Sequence, residues 1–276
     1  MEYMNMLKGA IDMHMHTAPD VISRKLTDLE AAQDAVNAGM QAIMLKNHVS
    51  PTYARATITQ EAVPGVDVFG GIVLNAAVGG INPAAVEAAC KMNARSVWMP
   101  TSSSEPHLKH FKQDVSKKVL AFDQNNKPVP GLIDVLDLIA RADIMLATSH
   151  LCAEDSIRLV DLAKERGVKK IVVTHPEFEV VVLSIEVQKI LLKKGVFFER
   201  CYAACNSDQQ FPIEELAAQI KEIGWETTVI ASDFGQVENL RPVPGLAKFL
   251  KELNKCGIPD KHLEACIKDH PKALLY

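Results

Sequence analysis

The chain has 276 residues, 48% hydrophobic and 23% charged, which is ordinary for a soluble globular protein large enough for one substantial core. A formal net charge of −4 without any basic run argues against nucleic acid or another polyanion as partner. No apolar run is long enough to cross a bilayer, and MEYMNMLKG lacks the charged start and apolar block of a signal peptide. The six cysteines are scattered without a C-x-x-C pair, so they read as reduced thiols of a cytoplasmic protein.

The first recognisable stretch is IDMHMHTAPD, a short apolar strand ending in His14 and His16. Side chains alternate along a strand, so the two imidazoles share a face, as a divalent metal requires of a single element. LTDLEAAQDAVNAG follows as a helix, with Thr27 and Glu30 as a capping box and Gly39 as its stop. QAIMLKN is a second strand, ending in Lys46, Asn47 and His48. A helix from Thr52 to Glu61 leads to the strand VFGGIVLN, and Asn82-Pro83 opens the next helix as cap and first-turn proline. SVWMP is the fourth strand.

An interruption over 101–131 has little helical period, and KKVLAFDQNNKPVP within it reads as a hairpin turning at Asn125-Asn126. Insertions of this length in compact domains tend to be lids or substrate-binding segments. The alternation resumes with the helix GLIDVLDLIARA and the strand DIMLATSH. AEDSIRLVDLAKERG and KKIVVTH follow, then SIEVQKILLKKG and VFFER, then FPIEELAAQIKEIG and TTVIASD. Two helices, GLAKFLKELNKCG and DKHLEACIKDH, close the chain. Eight short strands alternating with helices predict a single-domain (β/α)8 TIM barrel over 1–276, with a long insertion after strand four. An open doubly wound sheet would want a Gly-rich phosphate loop, and neither G-x-G-x-x-G nor a Walker sequence is present.

Chemistry in such a barrel sits where the strands end. Those positions carry His14, His16, Lys46, His48, Asn75, Thr101, His150, His175, Glu199, Arg200 and Asp233. Buried runs that end on ionisable side chains must pair them or bind something with them. Several histidines and one carboxylate converging on one mouth make a divalent-cation site. The competing readings are ordinary pairings: Asp233 with Arg24 or Arg241, and Glu199 with Arg200 or Lys46. His107 and His110 read as plain loop histidines of the insertion, His262 and His270 as remote from the chemistry, and Cys201-x-x-x-Cys205 as incidental.

The set resembles the amidohydrolase superfamily of metal-dependent TIM-barrel hydrolases. That family has His-x-His after strand one, a histidine after each of strands five and six, and an aspartate after strand eight. His14 and His16, His150, His175 and Asp233 match in order. Binuclear members add a bridging lysine or glutamate at strand four, where this chain reads SVWMPTSSSEP. The resemblance therefore implies one ion rather than two, unless Lys46 or Glu105 bridges. It also implies zinc, with manganese or iron as alternatives, held by His14, His16, His150 and Asp233, with His175 either ligating or orienting water. Asp233 would move protons, and Lys46, His48 or Arg24 would face substrate charge, with Glu199 as a further substrate contact. The expected reaction is hydrolysis of a C–N or C–O bond in a small molecule. A decarboxylase of the same design would use the same groups. DMHMHT and AIMLKNH also resemble the first motifs of the PHP phosphoesterases. There the second strand ends Thr-Asp-His and the last carries Asp-x-His; here they read Lys-Asn-His and Ser-Asp-Phe-Gly. Barrels of this type often pair through their outer helices, so a homo-oligomer is also expected.

Overall fold

A computed structural model describes residues 2–206 and 210–276. A short helix α1 (Glu2–Met6) precedes β1 (Ile11–His16). There follow α2 (Asp28–Asn37), β2 (Ala42–Lys46), α3 (Tyr53–Ala62), β3 (Asp67–Val73), α4 (Pro83–Lys91) and β4 (Ser96–Trp98). The insertion contributes α5 (Glu105–His110), and α6 (Leu132–Ala142) leads to β5 (Met145–Ala147), α7 (Ala153–Glu165), β6 (Ile171–Thr174) and α8 (Ile185–Leu192). After β7 (Phe197–Cys201) come α9 (Tyr202–Asn206), α10 (Ile213–Ile223) and β8 (Thr228–Ala231). The chain ends with α11 (Pro242–Lys255), α12 (Asp260–Ile267) and α13 (Asp269–Leu275).

The strands are apolar on both faces because both are covered, as a parallel sheet requires. They pair in parallel in the order β1 to β8. Residues just beyond β8 return to β1: Met15 bridges Phe234, and the N–H groups of Asp233 and His16 donate to the carbonyls of His14 and Phe234, each at 2.8 Å. The result is the (β/α)8 barrel that the alternation predicts. Ile11, Met13, Met44, Trp98, Met145, Val172 and Val229 fill its interior, and Leu274 and Leu275 of α13 close one end. Outside, helix faces such as Leu132, Val135, Leu136 and Ile139 of α6 pack on the strands, each buried aliphatic side chain contributing about 1.5–3 kcal/mol.

β1 is not a regular strand. Asp12 pairs with Ile43 and Met15 with Leu45, so Met13 and His14 share the space of one partner residue. Such a bulge reverses which face later residues present. Met13 lies inside the barrel, Met15 packs outside it, and His14 and His16 both turn into the mouth. Sequence alternation puts the two histidines on one face; the bulge makes that face the interior.

Two expectations are corrected. The insertion holds a helix, α5, because Ser104 caps it by accepting from the His107 N–H and Pro106 fits its first turn. The segment DKHLEACIKDH is not one helix but breaks at Lys268 into α12 and α13. Helices α1 and α9, each five residues, were too short to show a period. The hairpin is present, with Phe122 bridging Pro128 and Asn126 in the left-handed region at φ 61°.

Candidate metal centre

The strand ends that carry the site leave the sheet abruptly. Ser149, His175 and Asp233 adopt φ of 55°, 28° and 54°, a region that costs a non-glycine residue about 1 kcal/mol or more. These three turns follow β5, β6 and β8, where a side chain must be aimed inward rather than continue a strand. Gly235 completes the last of them at φ 140°; a Cβ there would lie 1.7 Å from the His16 carbonyl oxygen, so only glycine lets this loop cross β1.

His14 is the hub. Its Nε2 lies 3.0 Å from Asp233 Oδ1 and 3.0 Å from Lys46 Nζ, and its Nδ1 lies 3.2 Å from Glu199 Oε2. His16 Nε2 reaches the same Asp233 oxygen at 3.1 Å. The ligand-type atoms of His14, His16 and Asp233 lie within 4.8 Å of one another, all from buried residues. A second group of three is His14, Glu199 and Cys201, whose Sγ is 3.7 Å from His14 Nδ1. Asp233 thus meets neither Arg24 nor Arg241, which pair with Asp20 and Asp34.

Five imidazoles ring the mouth. Centroids are 5.3 Å apart for His14–His16, 4.8 Å for His16–His48, 6.4 Å for His48–His150, 5.0 Å for His150–His175 and 6.0 Å for His175–His14. Phe178 lies against His150 and His175. The insertion joins this ring: α5 brings His107 Nδ1 to 3.2 Å from His150 Nδ1. His107 is therefore not a plain loop residue. The only hint in the sequence was the Ser104-Glu105-Pro106 helix start, which is a weak one without its tertiary context. His150 is in the ring but outside the three-residue donor group, as is His175.

Other candidates occupy distinct places. Lys46 is buried below His14, with Nζ 5.6 Å from the Trp98 ring centroid. Arg24 Nη2 lies 3.5 Å from His16 Nδ1 while its charge is matched by Asp20 at 2.7 Å. Glu199 contacts His14, and its neighbour Arg200 points the other way, to Glu177 and Gln188 outside the barrel. Cys205 packs in the outer layer, apart from Cys201. His262 and His270 stack on Trp225, away from the mouth.

Burial sets most of the protonation states, because removing water penalises charge. It pushes His16 down to about 4 and His175 to about 3, and holds His48 and His150 well below the usual imidazole value. Burial also lowers His14, but the Asp233 and Glu199 carboxylates outweigh it and raise this group to about 8. Burial would raise Asp233, yet His14 and His16 prevail and hold it well below the usual carboxylate range. Burial lowers Lys46 and raises the Cys201 thiol far above its ordinary value. The neutral imidazole of His16, the ionised carboxylate of Asp233, and His14 once it yields its proton make the donor set of a zinc-like ion. Two carboxylates face one ammonium here, and His175 Nδ1 is buried with no hydrogen-bond partner among the described residues. The residues fit a divalent cation.

Comparison with known proteins agrees with the architecture. An amidohydrolase from Pseudomonas aeruginosa superposes with a TM-score of 0.67 at 12% identity, covering 99% of this chain and 98% of its own. A 2,6-dihydroxybenzoate decarboxylase matches at TM-score 0.61 and 10% identity over 97% and 99%, and a dihydroorotase at 0.61 and 10% over 97% and 82%. These neighbours are amidohydrolase-superfamily members, and at such identities the likeness establishes the fold. No curated protein matches the chain in sequence. Residues 9–199 match the sequence family described as a family of unknown function, DUF6282. On that match, which spans most of its length, the chain belongs to the DUF6282 family.

Proposed function

We propose that the protein is a metal-dependent hydrolase acting on a C–N or C–O bond of a small molecule, such as an amide, lactam, lactone or amino group. The observation that carries this reading is the convergence of His14 Nε2, His16 Nε2 and Asp233 Oδ1 at the barrel mouth. These three would hold one divalent ion, zinc first and manganese or iron as alternatives, with His175 and His150 at hand. Bound there, the ion supplies Lewis acidity, acidifying a water and polarising a carbonyl.

The chain's own groups do the rest. Asp233 Oδ1 is engaged by both imidazoles, so Oδ2 is the oxygen left to take a proton from water and return it to the leaving group. Glu199 accepts from His14 Nδ1, which fixes the ring with Nε2 toward the site. Lys46 offsets the two carboxylates and offers an N–H donor near His14. Phe178 and the insertion helix α5 cover the His150–His175 side and keep water out.

A decarboxylase is the second reading, since the same residues would serve it and the 2,6-dihydroxybenzoate decarboxylase shares the fold over 97% of this chain. The phosphoesterase alternative gains nothing, since Asn47 Oδ1 caps the turn at Val49 and Ser50, and Gly235, at the place of that family's last histidine, has no room for a side chain.

Elemental analysis of protein purified without chelators tests the centre. About one ion per chain, lost in the His14→Ala/His16→Ala variant, supports it; no uptake of zinc, manganese or iron overturns it. Screening amides, lactones and amino-substituted rings against aromatic carboxylic acids, with CO2 release measured, then separates hydrolase from decarboxylase.

A further inference from the structure

The side of the histidine ring away from the donor group is organised by Asn75. Its Oδ1 accepts two backbone N–H groups, from Thr101 at 2.8 Å and Ser103 at 3.0 Å. Only the amide oxygen accepts, so the orientation of the side chain is fixed and Nδ2 must donate. Its hydrogens go to the His48 carbonyl oxygen at 2.9 Å and to Thr101 Oγ1 at 2.7 Å. Thr101 is fully buried, so its own hydroxyl hydrogen has no access to solvent. Among the described residues the acceptor within its reach is His48 Nδ1, at 2.8 Å. The hydroxyl therefore donates to Nδ1, and the ring hydrogen of neutral His48 resides on Nε2.

No hydrogen bond engages His48 Nε2 among the described residues, and the ring lies between His16 and His150 at the mouth. We propose that His48 is a ligand-binding N–H donor, its tautomer set by the Asn75–Thr101 relay so that Nε2–H is offered to a carbonyl or carboxylate oxygen of the bound molecule. Asn75 and Thr101 are positioning residues for it. That the oxygen belongs to substrate rests on the hydrolase or decarboxylase reading; the tautomer does not.

Long-range 1H–15N spectra of the histidine rings test the relay on the metal-free full chain, with His48 assigned from its missing signal in His48→Gln. The expected pattern for His48 is Nε2–H in the wild type and in Thr101→Ser, which keeps the hydroxyl, and a mixture of tautomers in Thr101→Val. An Nδ1–H pattern in the wild type, or a Thr101→Val spectrum unchanged from it, overturns the relay. Acetate, the simplest oxygen acceptor, is expected to shift the His48 Nε2–H resonance in the wild type. No shift overturns the assignment of that donor to a ligand. Both readouts are independent of metal and turnover, so they stand or fall separately from the proposed reaction.

Discussion

Glu199 Oε2 lies 3.2 Å from His14 Nδ1, at the inner end of the pocket and on the far side of the ring from Asp233. A carboxylate there obliges Nδ1 to carry the hydrogen and leaves the Nε2 lone pair for an ion, the usual arrangement behind a metal-binding histidine. Glu199→Ala is expected to weaken zinc binding about 10–100-fold, with the barrel's circular dichroism retained. Titration against a fluorescent zinc chelator reads this, and unchanged affinity would show that Glu199 does not hold the ring.

Asp233 bridges two imidazoles through one oxygen, and it follows a turn that its own φ of 54° makes costly. Replacing its carboxylate by an amide keeps the shape but removes the oxygen that can take up a proton. Asp233→Asn should lower kcat by about 10²–10⁴-fold on the substrate found by screening, while thermal unfolding still shows one cooperative transition. Near-normal turnover in the variant would remove Asp233 from the mechanism.

Much of this was legible in the sequence. The strand count and the punctuation by Thr27, Asn82 and Gly39 gave the barrel, and reading strand ends alone picked out His14, His16, His150, His175 and Asp233. What escaped was set by tertiary packing. The bulge at Met13 and His14 has no local signature, since it is defined by what β2 places opposite. His107 reaches His150 only because the insertion folds back over the mouth. Asn75 and Thr101 were visible as polar strand ends, but their bond to each other links β3 to β4, which no spacing along one strand reveals.

The insertion's grip on the site should fail in acid. Burial, with the charge of His110 beside it, lowers His107 to about 4, below the value near 6.5 of an unfolded chain. A histidine depressed in this way contributes full stability above pH 6.5, and loses it as the pH falls toward 4 because the unfolded form takes up the proton first. Its partial exposure limits the effect to on the order of 1 kcal/mol. Thermal melts from pH 7 to 4.5 should therefore show a smaller acid loss in His107→Gln than in the wild type. Parallel curves would mean that His107 is not buried against His150 in solution.

Arg200 and Glu177 form an ion pair outside the barrel wall, with no exposure of either side chain. Glu177 follows His175 by two residues and immediately precedes Phe178, so the pair also fastens the loop that places both rings at the mouth. Arg200 has Gln188 as a further partner at 2.9 Å, but its Nε and Glu177 Oε2 find none among the described residues. Removing one member leaves a buried charge uncompensated, which costs about 3–5 kcal/mol, whereas removing both at matched volume is often neutral. Glu177→Leu alone should thus lower stability by that amount and loosen His175. The double variant Glu177→Leu/Arg200→Met should recover most of it, with Gln188 and Gln219 still bonded to each other at 2.8 Å. Chemical denaturation of the two single variants and the double variant closes the cycle. If the single losses simply add, the pair is not coupled, and the loop after β6 is held by its apolar contacts instead.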